Sequence, residues 1–344
     1  MKPIYIDTHI ERIYVHTVGN KSADEGIIFS SSETILSNQI KSVLMQYFIN
    51  AFKSEENYNL YHESDLNLND IYVYASLIFE NPNRMKDLSI IIAKHLYNKS
   101  THPKIKGGEF YAVYFKDCVV DDNKVDAIGL FKSENKDTFL KVYHKGEGFE
   151  IESERGVNIN KLDKGCLIFN TEKENGYLLA IVDNTNKGVE AKYWTDDFLH
   201  VRLRKDSYNQ TQNMLSLCKN FVAQLPTDNG KLEKATYINR SLDALKDETV
   251  NVSTFAERVF EKPELISEFR QYKESYQRQL DVDIDDDFKT AQKAVNHRYT
   301  GNMTTIRLDK NFDINIHGGE QNIVRGYDEE RGMYYYQLFF KEER

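Results

Sequence analysis

The 344-residue sequence contains little of the chemistry that marks metal-binding or disulfide-rich proteins. It has only three cysteines, spread along the chain without a CxxC spacing, a pattern that disfavours a zinc site or a disulfide framework. They are Cys118, Cys166 and Cys218. We therefore predict that all three are buried, apolar thiols. Only five prolines and 17 glycines are present, which argues against long disordered linkers.

Membrane and cofactor signatures are also missing. No apolar run reaches the ~18 residues that a membrane-spanning helix needs. The opening MKPIYIDTHI lacks the apolar core of a signal peptide. We therefore expect a cytoplasmic protein without a membrane partner. The sequence has no GxxxxGK[ST], GxGxxG or HExxH motif, so we expect no cofactor, no metal and no enzymatic activity. Gly107-Gly108 precedes a strand and indicates close passage of the backbone rather than a phosphate cradle.

Strand-like runs are concentrated between residues 107 and 142. They are rich in aromatic and β-branched residues, which favour strands. The runs are Phe110–Phe115, Ala127–Phe131 and Thr138–Val142. Short polar links separate them, and such links return a chain as an antiparallel neighbour. We predict an antiparallel meander in which Ile128 and Leu130 lie on one face of the central strand and Phe131 on the other, with Lys124, Lys132 and Lys136 on polar turns.

The order of the elements indicates an α+β protein with two domains. Helical periodicity precedes the meander, and more strands follow it; after the linker-like segment 226–230, helices are followed by two hairpins. We predict an α+β sheet domain over residues 1–225 and a helical domain ending in β hairpins over residues 226–344. Ser30 and Glu33 have the spacing of a capping box at a helix start. Pro263 suits the first turn of another helix.

Charge is distributed unevenly around a net value of −9. Residues 247–289 contain 12 Asp or Glu against 6 Lys or Arg, whereas residues 102–145 contain 8 Lys against 7 Asp or Glu. Duplex DNA is a dense line of negative charge. Any DNA-binding face is therefore expected on the sheet domain or just after it, and not on the acidic second domain.

Several motifs resemble those of one bacterial family. They are GGEFYAVYF from Gly107, AIGLFK from Ala127, VNINKLD from Val157, YWTDDFLH from Tyr193 and TIRLDKNF from Thr305. In this order they resemble the nucleoid-associated protein family typified by YejK, also called NdpA. The resemblance implies a location at the nucleoid, binding of double-stranded DNA and an association with type II topoisomerases. It implies no catalytic residue.

Two basic patches are the predicted DNA-binding residues. The first is Lys104, Lys106, Lys132 and Lys136, if the meander brings these loops to one end. The second is Arg202, Arg204 and Lys205. If this segment is extended, alternation places Arg202 and Arg204 on one side. Both patches are expected to contact phosphates without reading bases.

Three alternatives remain open. The net charge of −9 favours an adaptor that reaches DNA only through a partner. A second is a Mg²⁺-dependent nuclease that uses Asp121 or Asp126 with Glu134 and Lys136; the polar run 132–137 instead favours a solvated turn. The acidic segment 281–287 is a third candidate, for Ca²⁺, but it lacks the glycine and the downstream glutamate of an EF-hand loop. Whether the chain forms a homo-oligomer is left open.

Overall fold

The computed structural model describes residues 5, 7–54, 56–185, 193–226, 231–280, 282–298, 305–316 and 320–342. The chain divides into two compact units, Met1–Arg204 and Lys205–Arg344. The predicted α+β class is confirmed, because an antiparallel sheet dominates the first unit while helices and short hairpins form the second.

The first unit is built on an eight-stranded antiparallel sheet. Its strands are β1 (His9–Val18), β2 (Ile27–Ile28), β3 (Tyr58–Leu60), β4 (Gly108–Val120), β5 (Asn123–Ser133), β8 (Lys164–Phe169), β9 (Leu178–Asp183) and β10 (Val201–Leu203). Their spatial order is β10-β3-β9-β8-β5-β4-β1-β2. Asp121 and Asp122 join β4 to β5 with φ of 48° and 62°. Two positive φ values in a two-residue link match the twist of the flanking strands.

Helices cover both faces of this sheet. They are α1 (Asn38–Ile49), α2 (Asp70–Glu80) and α3 (Met85–Lys99). Ile128 and Leu130 pack in the core that includes α2 and α3, whereas Phe131 packs in the opposite core with α1. The rings of Phe131 and Phe48 stack at 4.1 Å. The predicted facing of the central strand is therefore confirmed.

The predicted capping box at Ser30 and Glu33 is wrong. Ser37 is the N-cap of α1, and its hydroxyl accepts the backbone N–H of Ile40 at 3.3 Å. Glu33 instead forms an ion pair with Arg12 on β1 at 3.3 Å. The Glu33 carboxylate, which a capping box would place on a backbone N–H at the helix start, therefore contacts Arg12 of the sheet instead.

The predicted meander is correct for two strands and wrong for the third. The third run forms β6 (Asp137–Lys145), which pairs with β7 (Gly148–Gly156) in a separate two-stranded sheet. The second neighbour of β5 is β8. Almost every residue of β6 is exposed, whereas β5 is buried from Ala127 to Ser133.

The described residues of the second unit form five α-helices and three antiparallel strand pairs. The helices are α4 (Ser207–Gln224), α5 (Lys231–Ala244), α6 (Val252–Phe260), α7 (Pro263–Leu280) and α8 (Gln292–Arg298). The strands are β11 (Thr249–Asn251), β12 (Asp287–Lys289), β13 (Thr305–Leu308), β14 (Phe312–Asn315), β15 (Ile323–Asp328) and β16 (Met333–Leu338). Both terminal hairpins and the start of α7 at Pro263 agree with prediction.

The structural division differs from the predicted boundary after residue 225. Helix α4 lies in the second unit, where Met214, Cys218 and Phe221 share an apolar core with α5, α6 and α7. Its apolar face therefore needs the helices that follow it in the sequence. Residues 227–230 of the predicted linker lie outside the described residues.

Candidate nucleic-acid interface

Three of the predicted lysines lie in adjoining loops at the end of the sheet where β4 begins and β5 ends. We name the group formed by Lys104, Lys106, Asn135 and Lys136 the loop surface. The ammonium of Lys106 donates to the side-chain oxygen of Asn135 at 2.7 Å. Lys136 Nζ lies 2.5 Å from Glu109 Oε1. All three lysines are exposed, so the structure brings these parts of the first patch together.

Lys132 does not belong to this surface. The prediction that it lies on a polar turn is wrong, because it belongs to β5 and is 0% exposed. Its ammonium donates to the carbonyl oxygen of Lys106 at 2.7 Å and lies 3.1 Å from Glu134 Oε1. Burial lowers the pKa of Lys132, and Glu134 opposes this shift. Lys132 therefore holds the backbone of the loop surface at Lys106 from the interior of the fold.

A second buried lysine extends this polar cluster. Lys164 Nζ lies 2.6 Å from Asp183 Oδ2. The ring of Tyr193 lies 5.6 Å from the Lys132 ammonium and 5.0 Å from that of Lys164. The Tyr193 hydroxyl donates to Glu134 Oε1 at 2.6 Å. Lys132 and Lys164 therefore each have a carboxylate beside the buried ammonium, which offsets the cost of burying the charge.

Asp163 anchors the chain where β5 ends. This carboxylate is buried, and its Oδ2 accepts the backbone N–H groups of Glu134 and Asn135 at 2.7 and 2.8 Å. Its Oδ1 accepts the Asn135 side-chain amide at 2.9 Å. Asp163 thereby holds the loop that presents Asn135 and Lys136 and turns the chain away from the sheet before β6.

Gly107 and Gly108 allow close backbone packing, as predicted. A Cβ on Gly108 would collide with the carbonyl oxygen of Ser133 on β5, and one on Gly107 would lie 2.6 Å from Glu25 Oε2. An open cleft of about 550 Å³ lies beside these glycines and Lys106. Glu25 lines it and accepts the Asn20 backbone N–H at 2.6 Å. This carboxylate makes the cleft unsuitable for a phosphate.

The second predicted patch is divided among three environments. Arg204 donates from Nε to Glu172 Oε2 at 3.0 Å. Lys205 belongs to the second unit, where it lies 2.8 Å from Asp283 and 2.7 Å from Asp285. Hydrogen bonds to these two carboxylates raise the pKa of Lys205. β10 ends at Leu203, so strand alternation does not extend to Arg204.

Arg202 is part of an aromatic cluster that sequence reasoning missed. Its guanidinium lies 4.6 Å from the Tyr61 ring centroid, and Tyr61 stacks with His200 at 6.0 Å. His62 lies 5.7 Å from His200. We name Tyr61, His62, His200 and Arg202 the edge cluster, because β10 is an outer strand of the sheet. Within the described residues, no carboxylate forms an ion pair with Arg202.

Asn69 holds the backbone of the edge cluster together. Its side-chain amide donates to the carbonyl oxygens of Tyr61, Leu199 and His200 at 2.9, 3.1 and 2.9 Å. Its side-chain oxygen caps α2 by accepting the backbone N–H of Tyr72 at 2.9 Å. These contacts are between residues distant in sequence, so no local pattern indicates them.

A comparison with protein-family models finds a match over residues 15–330 to the family described as nucleoid-associated protein YejK. The chain belongs to this family. The match reaches into both structural units and contains every predicted DNA-binding residue. Membership implies a location in the nucleoid. No curated protein sequence matches the chain.

The geometry bears on the nuclease alternative for this family member. Glu134 contacts Lys132 and Tyr193 in the interior, whereas Lys136 contacts Glu109. Asp126 accepts hydrogen bonds from Tyr114 and Lys116 at 2.7 and 2.8 Å. The proposed catalytic set is therefore not assembled. Across the described ranges, no group of three or more His, Cys, Asp or Glu could hold a metal ion.

The acidic segment 282–287 is occupied by protein contacts. Asp283 and Asp285 pair with Lys205, and Asp286 lies 2.6 Å from Lys273. This lysine lowers the pKa of Asp286. The side chain of Ile284, between Asp283 and Asp285, is buried. Residue 281 of the predicted acidic run lies outside the described residues.

The three cysteines are buried and free, as predicted. Burial raises the pKa of Cys118 to about 11 and that of Cys218 to about 12, so both remain protonated thiols near neutral pH. None of the described helices is both long and apolar enough to cross a membrane.

Proposed function

We propose that this chain binds double-stranded DNA directly, through contacts between phosphates and the lysines of the loop surface. Family membership supports a nucleoid role. The observation that carries the proposal is the hydrogen bond from Lys106 to Asn135, which joins the Lys106 loop to the loop of Lys136 that Asp163 holds in place. Phosphate contacts fix a protein on a duplex without reading its sequence, so the expected binding is sequence-tolerant.

The charges of the two patches support this choice of surface. The Lys106 ammonium is paired with a neutral amide, and Lys136 faces a single carboxylate. By contrast, Lys205 lies between two carboxylates and Arg204 is held by Glu172. A cation already neutralised by the protein gains less from a phosphate. Arg202 is the member of the second patch best suited to a contact of its own.

The affinity is expected to be low and strongly dependent on salt. Each phosphate neutralised on B-DNA contributes about −0.9 to the slope of log affinity against log salt concentration. The net charge of −9 repels the duplex overall. A surface with three lysines therefore predicts a slope of only a few units.

The test compares three triple charge reversals by fluorescence anisotropy of two unrelated duplexes at several salt concentrations. Reversal of the loop surface replaces Lys104, Lys106 and Lys136 by Glu. Reversal of the second patch replaces Arg202, Arg204 and Lys205 by Glu. The matched control replaces Lys219, Lys246 and Lys289 of the second unit by Glu, with the same change in net charge.

The loop-surface variant should lose affinity for both duplexes equally and show the flattest salt slope. A larger loss in the second-patch variant would transfer the proposed site to Arg202. An equal loss in all three variants would mean that net charge, and not a defined surface, controls binding.

The net charge of −9 favours one alternative, an adaptor that reaches DNA through a partner. Absence of binding by the unmodified chain even at low salt would contradict direct contact and support this adaptor role. The type II topoisomerase implied by the family resemblance is then the first partner to test by pull-down. Incubation of plasmid DNA with the chain and Mg²⁺ tests the nuclease alternative, which predicts cleavage.

A further inference from the structure

The edge cluster lies at the opposite end of the sheet from the loop surface. Lys164, at the start of β8, pairs with Lys132 of β5 and with the last residue of β9, at the end of the sheet that carries the loop surface. At the other end of β9, the backbone N–H of Leu60 donates to the carbonyl oxygen of Gly176, and the edge cluster begins directly after Leu60. The two sites are therefore separate, and an inference about the edge cluster does not rest on the function proposed above.

The four side chains of the edge cluster form a series of flat groups. The ring planes of Tyr61 and His200 differ by 11°, and those of His62 and His200 differ by 32°. The guanidinium of Arg202 continues the series over the Tyr61 ring. Arg202 is exposed and the three rings are half-buried. Aromatic rings beside a planar cation provide stacking surfaces for other flat groups.

The polar edges of these flat groups are largely unused by the protein. Among the residues that the structure describes, none forms a hydrogen bond with the Tyr61 hydroxyl, the His200 ring or the Arg202 guanidinium. His62 Nδ1 accepts the Ser64 backbone N–H at 3.3 Å, so the proton of the neutral ring is on Nε2. The cluster therefore combines flat faces with N–H and O–H donors that suit an anion.

The backbone of the cluster is fixed before any ligand arrives. Asn69 is 3% exposed, and its amide holds the carbonyl oxygens of Tyr61 and His200. His200 has a φ of 52°, in a region that histidine adopts more readily than most residues other than glycine. A site held in this way binds without the cost of ordering its backbone.

We infer that the edge cluster binds unpaired DNA nucleotides, with bases stacked on Tyr61 and the two histidines and a neighbouring phosphate on Arg202. Stacking on a protein ring requires an unpaired base, because the faces of a paired base are covered by its neighbours in the duplex. Every base has a flat face, so the binding tolerates any sequence. A duplex would gain only the phosphate contact of Arg202.

The first experiment compares the affinity of the full chain for an oligothymidylate of roughly 20 nucleotides and for a duplex of equal length, by fluorescence anisotropy at low salt. Arg202→Lys keeps the charge but loses the planar fork of donors. It should lower the single-strand affinity about fivefold and change the duplex affinity less than about twofold. Arg258→Lys, at an exposed arginine of the second unit, is the matched control and should bind both as the unmodified chain does.

A second variant removes two of the rings. Tyr61→Leu with His200→Asn should lower the single-strand affinity more than about tenfold, and asparagine tolerates the positive φ at position 200. Tyr74→Leu with His9→Asn removes the same ring types elsewhere in the first unit and should leave this affinity unchanged. The thermal midpoints of both variants check that the fold is retained.

Photocrosslinking identifies the contact without any substitution. An oligonucleotide carrying 5-iodouracil, irradiated in complex with the full chain, should crosslink to the peptide that contains Tyr61 and His62 or to the peptide that contains His200. A chain without affinity for the single strand overturns the inference, as do crosslinks confined to other peptides or equal losses in the Tyr61 and Tyr74 variants. Absence of duplex binding with retained single-strand binding would contradict the proposed function and leave this inference supported.

Discussion

Strands β5 and β6 are consecutive in the chain, with three residues between them, but β5 is largely buried and β6 is exposed. β5 lies inside the eight-stranded sheet, with both faces buried from Ala127 onward. β6 is exposed on both faces and pairs with β7 in a separate two-stranded sheet. Each strand contains two lysines, one aspartate and several apolar residues. The comparison teaches that composition specifies a strand, whereas the neighbour it pairs with decides whether its side chains are buried.

The largest expected difference concerns the lysines of the two strands. Lys132→Ala on β5 removes the partner of the buried Glu134 and should lower the free energy of unfolding by about 3–5 kcal/mol. Lys141→Ala on β6 removes an exposed pair and should change it by less than about 0.5 kcal/mol. Urea denaturation of both variants is the measurement. Similar small effects would show that the interior charge cluster is not a stabilising unit.

The leucines of the two strands provide a second contrast. Leu130→Ala should lower the free energy of unfolding by about 2–5 kcal/mol, because it leaves a cavity between the sheet and the helices. Leu140→Ala should have a small effect, because its side chain is already exposed. Thermal unfolding of each variant checks this. An unchanged midpoint for Leu130→Ala would exclude β5 from the core.

Replacement of Asp163 tests whether this carboxylate holds the loop through which the chain leaves the sheet between β5 and β6. Asp163→Ala leaves the N–H groups of Glu134 and Asn135 without their acceptor and should cost about 1–3 kcal/mol. Hydrogen exchange at these two amides should become faster. Asp137→Ala, which removes an exposed carboxylate at the start of β6, is the control. Unchanged exchange in the Asp163 variant would mean that another contact holds this loop.

Acidification provides a further test of the first unit, through His16 on β1. Its Nδ1 accepts the Ser30 N–H at 3.1 Å, so the proton is on Nε2, which donates to the Ser89 hydroxyl at 3.0 Å. Burial lowers the pKa of His16 to about 4. The neutral form is therefore favoured in the folded protein, and stability is lost as the pH falls from about 6.5 towards 4.

The expected slope is at most about 1.4 kcal/mol per pH unit in this window. The free energy of unfolding, measured by urea denaturation at several pH values, should depend less on pH in His16→Gln. His144→Gln on the exposed hairpin should leave the profile unchanged. A wild-type profile in His16→Gln would show that other groups carry the pH dependence.

Local patterns predicted much of the fold and part of the candidate site. Alternation placed Ile128 and Leu130 on one face and Phe131 on the other, and Pro263 marked the start of α7. The loops of Lys106 and Lys136 meet as expected. The hydrophilic run around Lys132 predicts a turn. In the folded protein the Lys132 ammonium instead pairs with Glu134 and donates to a backbone carbonyl oxygen in the interior.

The sequence by itself determined where most helices and strands form, because periodicity and turn chemistry act over a few residues. It also determined the family, whose motifs are read along the chain. Only the tertiary structure decided that β8, and not β6, completes the sheet beside β5, and that Asn69 joins Tyr61 to His200. The physical reason is that these contacts join residues far apart in the chain. Their free energy depends on burial and on hydrogen-bond partners that exist only in the folded protein.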